Sequence, residues 1–287
     1  MKKLLFLYCV FACFAVQAVH LEGQAQLLAD NALSRMESAF NSMDSEITPE
    51  DAYYLGRAVA ANILAAYKPY NQNPELTRYL NRICQTLAIN SSQPVSFNGY
   101  HVIILDSPEF NAFATSGGHI FVTQKLAAAA ASEDMLAAVI AHELAHITLK
   151  HSVTVINDMK FTNEMSAAAS QAAAFAGNSD AAKRLVQFRE SVSKSIDTMM
   201  KNGYSHAQEF EADQEAAALL ARAGYNPVAL TEVLKVLQKT QSSQKGGFNS
   251  THPSPAERIA NVEKLRFRTA NTGRYRASRF KEKFHFP

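Results

Sequence analysis

One pentapeptide, His142-Glu143-Leu144-Ala145-His146, limits this chain more than any other stretch. Histidines four apart lie on one face of a helix, so both imidazoles can point at a single ion. Glu143 stands one residue round from the first histidine, where its carboxylate can reach a water on that ion and take its proton. Ala141, Leu144, Ala145, Ile147 and Leu149 make the helix mostly apolar, which weakens the reading of two merely solvated histidines.

Two histidines leave a catalytic zinc site short of its usual three protein ligands. A histidine six residues after His146 would complete it locally, but that position is Ser152. His151 comes one residue early and is expected to face elsewhere on the helix, as a structural residue. Cysteine is excluded: Cys9 and Cys13 lie in the leading segment, and Cys84 alone makes neither an internal disulfide nor a zinc knuckle. The third ligand must come from farther along. In Tyr204 to Gln214, YSHAQEFEADQ, Glu209 and Asp213 are spaced i, i+4 on one helical face. One can bind the metal while the other hydrogen-bonds a ligand histidine and fixes its tautomer. In an isolated helix, these residues with Glu211 and Glu215 would read as a solvated acidic face.

The remaining pattern is mostly helical. Helices are expected over 21–40, from Pro49 (capped by Thr48) to about Tyr67, from Pro74 to about Ile89, and from Ser132 to about Lys150. Further helices are expected over 180–201, 205–223, 227–239 and 255–267. His101 to Leu105, Phe110 to Ala114 and His119 to Thr123 read as strands, the last two joined by the turn Thr115-Ser116-Gly117-Gly118. The fold class is therefore α+β, mostly α-helical, with a small sheet of about three strands. Residues 165–176 are alanine-rich but too polar and short for a membrane span, and 241–249 read as a loop.

Lys2 and Lys3 precede an unbroken apolar run from Leu4 to Val16, too short to span a bilayer and suited to a signal-peptide core. Cleavage after Ala18 divides the chain into a signal peptide (1–18), a main domain (19–268) and a basic tail (269–287). Lipid attachment at Cys13, as in an outer-membrane lipoprotein, is the alternative to a free periplasmic or secreted protein. The formal charge of +2 is too near zero to imply a polyanionic partner, so no nucleic acid is expected. Lys264 to Lys283 does carry eight Lys or Arg against one Glu. A solvated tail is the favoured reading, and peripheral contact with an anionic membrane surface is the rival.

Taken together, HELAH, the later Glu209-Phe210-Glu211-Ala212-Asp213, Thr251-His252-Pro253 with Arg258 six residues after the histidine, and the segment from Asn111 to Ile120 resemble family 48 of the metallopeptidases. That family includes heat-shock proteases, prenyl-protein endoproteases and secreted or periplasmic members. The resemblance runs from roughly Ala52 to Leu265. It implies a zincin-like core with the sheet packed on the HExxH helix. It also implies one zinc ion held by His142, His146 and Glu209, with Glu143 as general base and Asp213 as the partner of a ligand histidine. His252 would lie near the metal, either stabilising the oxyanion or closing the open position, and Arg258 would hold that segment. His206 and Ser116 depart from the family, which often has arginine and proline there.

The expected activity is zinc-dependent endoproteolysis of polypeptides, such as unfolded or misassembled envelope proteins. The substrate would pair along an edge strand at Gly118, His119, Ile120 and Phe121. The rival is a latent or chaperone-like binding protein whose metal site is plugged by His252. Spacing says nothing of the oligomeric state.

Overall fold

The computed structural model describes residues 49–152, 203–240, 252–267 and 273–286. The proposed signal peptide with Cys13, the helices expected over 21–40 and 180–201, the alanine-rich stretch and the loop at 241–249 all lie outside the described residues.

The described chain runs α1 (Pro49–Ala66), α2 (Pro74–Ala88), β1 (His101–Leu105), β2 (Ala112–Thr115), β3 (His119–Thr123), α3 (Gln124–Ala128) and α4 (Glu133–Thr148). It continues with α5 (His206–Arg222), α6 (Val228–Thr240), α7 (Pro255–Lys264) and α8 (Arg274–Lys283). Local chemistry sets several starts. The Asn73 side chain accepts from the Glu75 N–H with Pro74 in the first turn of α2, and Ser132 accepts from the Met135 N–H to open α4. Helix α4 is buried on every side from Glu133 to Ile147, as befits a helix apolar all round. Leu136, Ile140 and Leu144 are each at most 1% exposed, and burial of each contributes roughly 1.5–3 kcal/mol.

The sheet has the order β1-β3-β2, with β1 parallel and β2 antiparallel to β3. Side chains alternate across it. Val102, Ile104, Ala112, Ala114, Ile120 and Val122 join the main core with α2 and α4. Leu105 and Phe121, with Ile103 and Phe113, pack against Val59, Ala60 and Ile63 of α1 on the other face. The hairpin from β2 to β3 turns on Gly117 (φ 82°) and Gly118 (φ 105°). A Cβ on Gly118 would also lie 2.2 Å from the Gly99 carbonyl oxygen, so conformation and space both call for glycine there.

This topology corrects one expectation. Gly118 to Phe121 do not form an edge strand: β3 is the central strand, paired along both sides with β1 and β2. Its backbone groups are already used, Phe121 is buried, and His119 stacks on Tyr53 with ring centroids 5.3 Å apart. The parallel β1–β3 pairing, which joins strands distant in sequence, decides this.

The C-terminal segment also differs from the solvated tail expected. Helix α8 docks against the start of α4, where Arg279 Nε donates to Glu133 Oε2 at 2.8 Å and its Nη2 donates to Oε1. The Tyr79 and Tyr225 hydroxyls donate to the same carboxylate at 2.5 and 3.1 Å. Arg276 lies 3.4 Å from Asp134, which also accepts from the Asn226 N–H. Beyond α8, Phe284 is buried against Tyr79. Smaller differences concern ends: β2 starts at Ala112, the short α3 was not expected, and α7 stops at Lys264. Arg266, at φ 49°, then turns the chain away. No helix among the described residues is long and apolar enough to cross a membrane.

Candidate metal centre

Three segments distant in sequence converge on one face of α4. One helical turn separates His142 from His146, and their Nε2 atoms lie 3.1 Å apart. Helix α5 begins with a reciprocal cap, the Ser205 hydroxyl accepting from the Gln208 N–H while the Gln208 side chain accepts from the Ser205 N–H. Glu209 follows in the first turn and reaches across to α4. Its two carboxylate oxygens each lie 3.5 Å from a histidine, Oε2 from His142 Nε2 and Oε1 from His146 Nε2. His252, just ahead of α7, brings Nδ1 to 2.7 Å from Glu209 Oε2. One ligand atom from each of these four residues lies within 4.8 Å of the others.

These side chains fit a small cation held by nitrogen and oxygen. Donors about 2.0–2.1 Å from a tetrahedral ion stand about 3.3–3.4 Å from one another. The two Nε2 atoms are 3.1 Å apart and each stands 3.5 Å from a different oxygen of Glu209, spacings close to that value. Neither oxygen of Glu209 receives an aligned hydrogen bond, although the residue is fully buried. His252 Nδ1 at 2.7 Å and Arg258 Nη1 at 3.4 Å from Oε2 offset part of its charge, and the acceptor capacity left on a buried carboxylate suits a bound cation.

Around this group sits a clamp. Asp213, one turn after Glu209, brings Oδ1 to 3.1 Å from His142 Nδ1, which turns Nε2 toward Glu209. Arg258 of α7, 1% exposed, forks onto Asp213 with Nε and Nη2 donating to Oδ2 and Oδ1 at 2.8 and 2.7 Å. Its Nη1 lies 3.4 Å from Glu209 Oε2. Arg258 thus ties α7, and with it the His252 segment, to α5.

Electrostatics follow from burial and these neighbours. Burial and Arg258 oppose a charged His142, but Asp213 and Glu209 outweigh them and lift it to about 9. Burial pushes the Glu143 carboxyl up to about 7, and one of its oxygens has no hydrogen-bond partner. Burial opposes ionisation of Glu209, yet His252, His142 and Arg258 hold its carboxyl well below the usual range. His146 and His252 are pushed down by burial, which keeps them neutral and able to offer a lone pair.

The structure thus brings together His142, Glu143, His146, Glu209, Asp213, His252 and Arg258. Sequence reasoning misplaced His151 and passed over Tyr204. Helix α4 ends at Thr148, and Lys150 adopts φ 58°. The chain folds back there, so His151 Nδ1 meets His146 Nδ1 at 2.9 Å instead of facing away. Tyr204 stacks on the His146 ring, centroids 4.0 Å apart and planes inclined by 15°. Its place immediately before the α5 cap was visible in sequence, but nothing there showed which ring it would meet.

Comparison with known proteins agrees with this geometry. The profile of peptidase family M48 matches residues 74–266. The chain is 25% identical over 196 residues to the Beta-barrel assembly-enhancing protease of Escherichia coli (strain K12), covering 68% of this chain and 39% of that protein. It is 29% identical over 189 residues to the Mitochondrial metalloendopeptidase OMA1 of Schizosaccharomyces pombe, 65% of this chain and 52% of the relative. With Metalloprotease LoiP of Escherichia coli (strain K12) it shares 26% over 191 residues, 66% of this chain and 70% of LoiP. The match thus spans well under half of the first of these relatives. A profile match over most of the chain, together with the convergence of histidines and glutamate on α4, establishes that the chain belongs to peptidase family M48.

Proposed function

We propose that this protein is a zinc-dependent metalloendopeptidase that hydrolyses peptide bonds in unfolded or misassembled envelope proteins. The observation that carries the reading is the buried cluster of ligand atoms from His142, His146 and Glu209, with the unpartnered carboxylate oxygen of Glu143 on the same helix. His142, His146 and Glu209 would hold one zinc ion, favoured by the two-nitrogen, one-oxygen donor set. When bound, zinc supplies a Lewis acid that polarises the scissile carbonyl and acidifies water.

The chain's own residues do the rest. Glu143 takes the proton of the attacking water and delivers it to the leaving amine, a role suited to a carboxylate that burial has made more basic. His252, beside Glu209, contacts the developing oxyanion. Asp213 and Arg258 orient His142 and the α7 segment. Since β3 is central, the strand offered to an extended substrate is β2, whose outer side carries no strand among the described residues and which packs over α4. Main-chain pairing there is largely indifferent to sequence, which suits unfolded polypeptides. The leading segment supports export to the periplasm or beyond, and the relatives named for β-barrel assembly support an envelope substrate.

The test is cleavage of casein by the mature protein with metal analysis. Glu143→Gln retains stoichiometric zinc and loses about 10²–10⁴-fold in rate, while His252→Ala retains zinc and also slows. Undiminished cleavage by Glu143→Gln would sink the assignment, and faster cleavage by His252→Ala would reassign that residue as a plug.

A further inference from the structure

His142 has a carboxylate behind it, whereas His146 has a second histidine. His151 Nδ1 lies 2.9 Å from His146 Nδ1, and His151 Nε2 lies 3.3 Å from Glu211 Oε2. His151 is 3% exposed, whereas the Glu211 side chain is 61% exposed. Two ring nitrogens facing each other need one proton between them, and Glu211 decides which ring carries it. An ionised carboxylate only accepts, so His151 Nε2 must be the donor to Glu211. In the neutral ring Nδ1 of His151 is then a lone pair, and the proton sits on His146 Nδ1. That leaves His146 Nε2 as a lone pair aimed at Glu209 and His142. The opposite tautomer would point an N–H into the centre and set the His151 lone pair against a carboxylate. Tyr204, stacked on the face of the His146 ring, restricts its rotation.

We propose that His151 and Glu211 form a hydrogen-bond chain, from the surface to the buried centre, that fixes His146 as an Nε2 donor to the metal. His151 is a positioning residue, Glu211 sets its tautomer, and the inference rests on the metal centre proposed above. The arrangement is unsymmetrical. The partner of His142 is sealed beneath Arg258, whereas the chain behind His146 ends in water, so its outer link is the weaker one.

The test is zinc affinity of the otherwise intact protein, measured by competition with a chromophoric chelator, with thermal melts of the metal-free form as the control for folding. His151→Leu fills the space but offers no acceptor, and should weaken zinc binding about 10–100-fold. His151→Asn places an acceptor near the Nδ1 position and should stay within about threefold of wild type. Glu211→Ala should weaken binding about 2–5-fold in the wild-type background, water taking part of its role, and not at all in the His151→Asn background. Leu binding as tightly as Asn, or an equal effect of Glu211→Ala in both backgrounds, overturns the proposal in favour of simple packing. Should the Leu variant fail to fold, the Asn and Glu211 cycle still decides. A wild type that takes up no zinc overturns the centre and this inference together. Zinc uptake without peptidase activity overturns the function alone.

Discussion

Helix α4 buries carboxylates at both ends of its length. At its N-terminus Glu133, 1% exposed, accepts from Tyr79, Tyr225 and Arg279, and Asp134 is met by Asn226 and Arg276. Further along, Glu143 is 2% exposed with one oxygen unpartnered, and Glu209 across from it has no aligned donor on either oxygen. A buried charge whose hydrogen-bonding capacity is filled by protein belongs to the architecture, since it costs little beyond its own desolvation. One left unfilled marks a place where something else must bind or react. The same helix therefore carries a closed polar anchor and an open polar site, and the two should fail differently.

The largest effect is expected at the open end. Glu209→Gln should lower zinc affinity by more than about 100-fold, beyond what loss of an outer hydrogen bond costs, and equilibrium dialysis would measure it. Next, Asp213→Asn should weaken zinc about 10–100-fold, because the amide cannot balance Arg258 or hold the His142 tautomer as firmly. An unchanged affinity would remove Asp213 from the site. At the closed end, Arg279→Ala should cost about 1–3 kcal/mol of stability in denaturant unfolding by leaving a buried carboxylate short of donors, with zinc affinity unaltered. A shift in both would show that the anchor and the site are coupled through α4, and would break the comparison. Smallest, Tyr79→Phe should cost about 0.5–1.5 kcal/mol, since Tyr225 and Arg279 still serve Glu133.

Much of this was legible in the chain. The apolar helix around His142 and His146 and the strands at 101–105 and 119–123 follow from periodicity. So does the glycine turn before β3. Local rules reach that far because each depends on neighbours within a few residues. Strand order does not, and β3 proved central because β1 returns beside it in parallel. The same limit hid α8. Its arginines read as solvated until Glu133 and Asp134, two acids at the head of an otherwise apolar helix, supplied buried partners. His151, expected as a structural residue facing elsewhere, was misplaced in direction alone and for a local reason, one non-glycine residue at positive φ.

By itself the sequence put two histidines and a glutamate on one helix, because a period of 3.6 residues brings positions four apart to one face, and the apolar surround pointed to its burial. It also supplied Glu209 and Asp213 one turn apart on a second helix. Only the tertiary structure decided how these groups divide their work. The packing of α5 on α4 puts Glu209 between two imidazoles and Asp213 behind one of them. The fold-back after Lys150 puts a histidine behind the other. The first of these depends on contacts between residues sixty or more positions apart and the second on a turn beyond the end of α4, and spacing along one helix encodes neither.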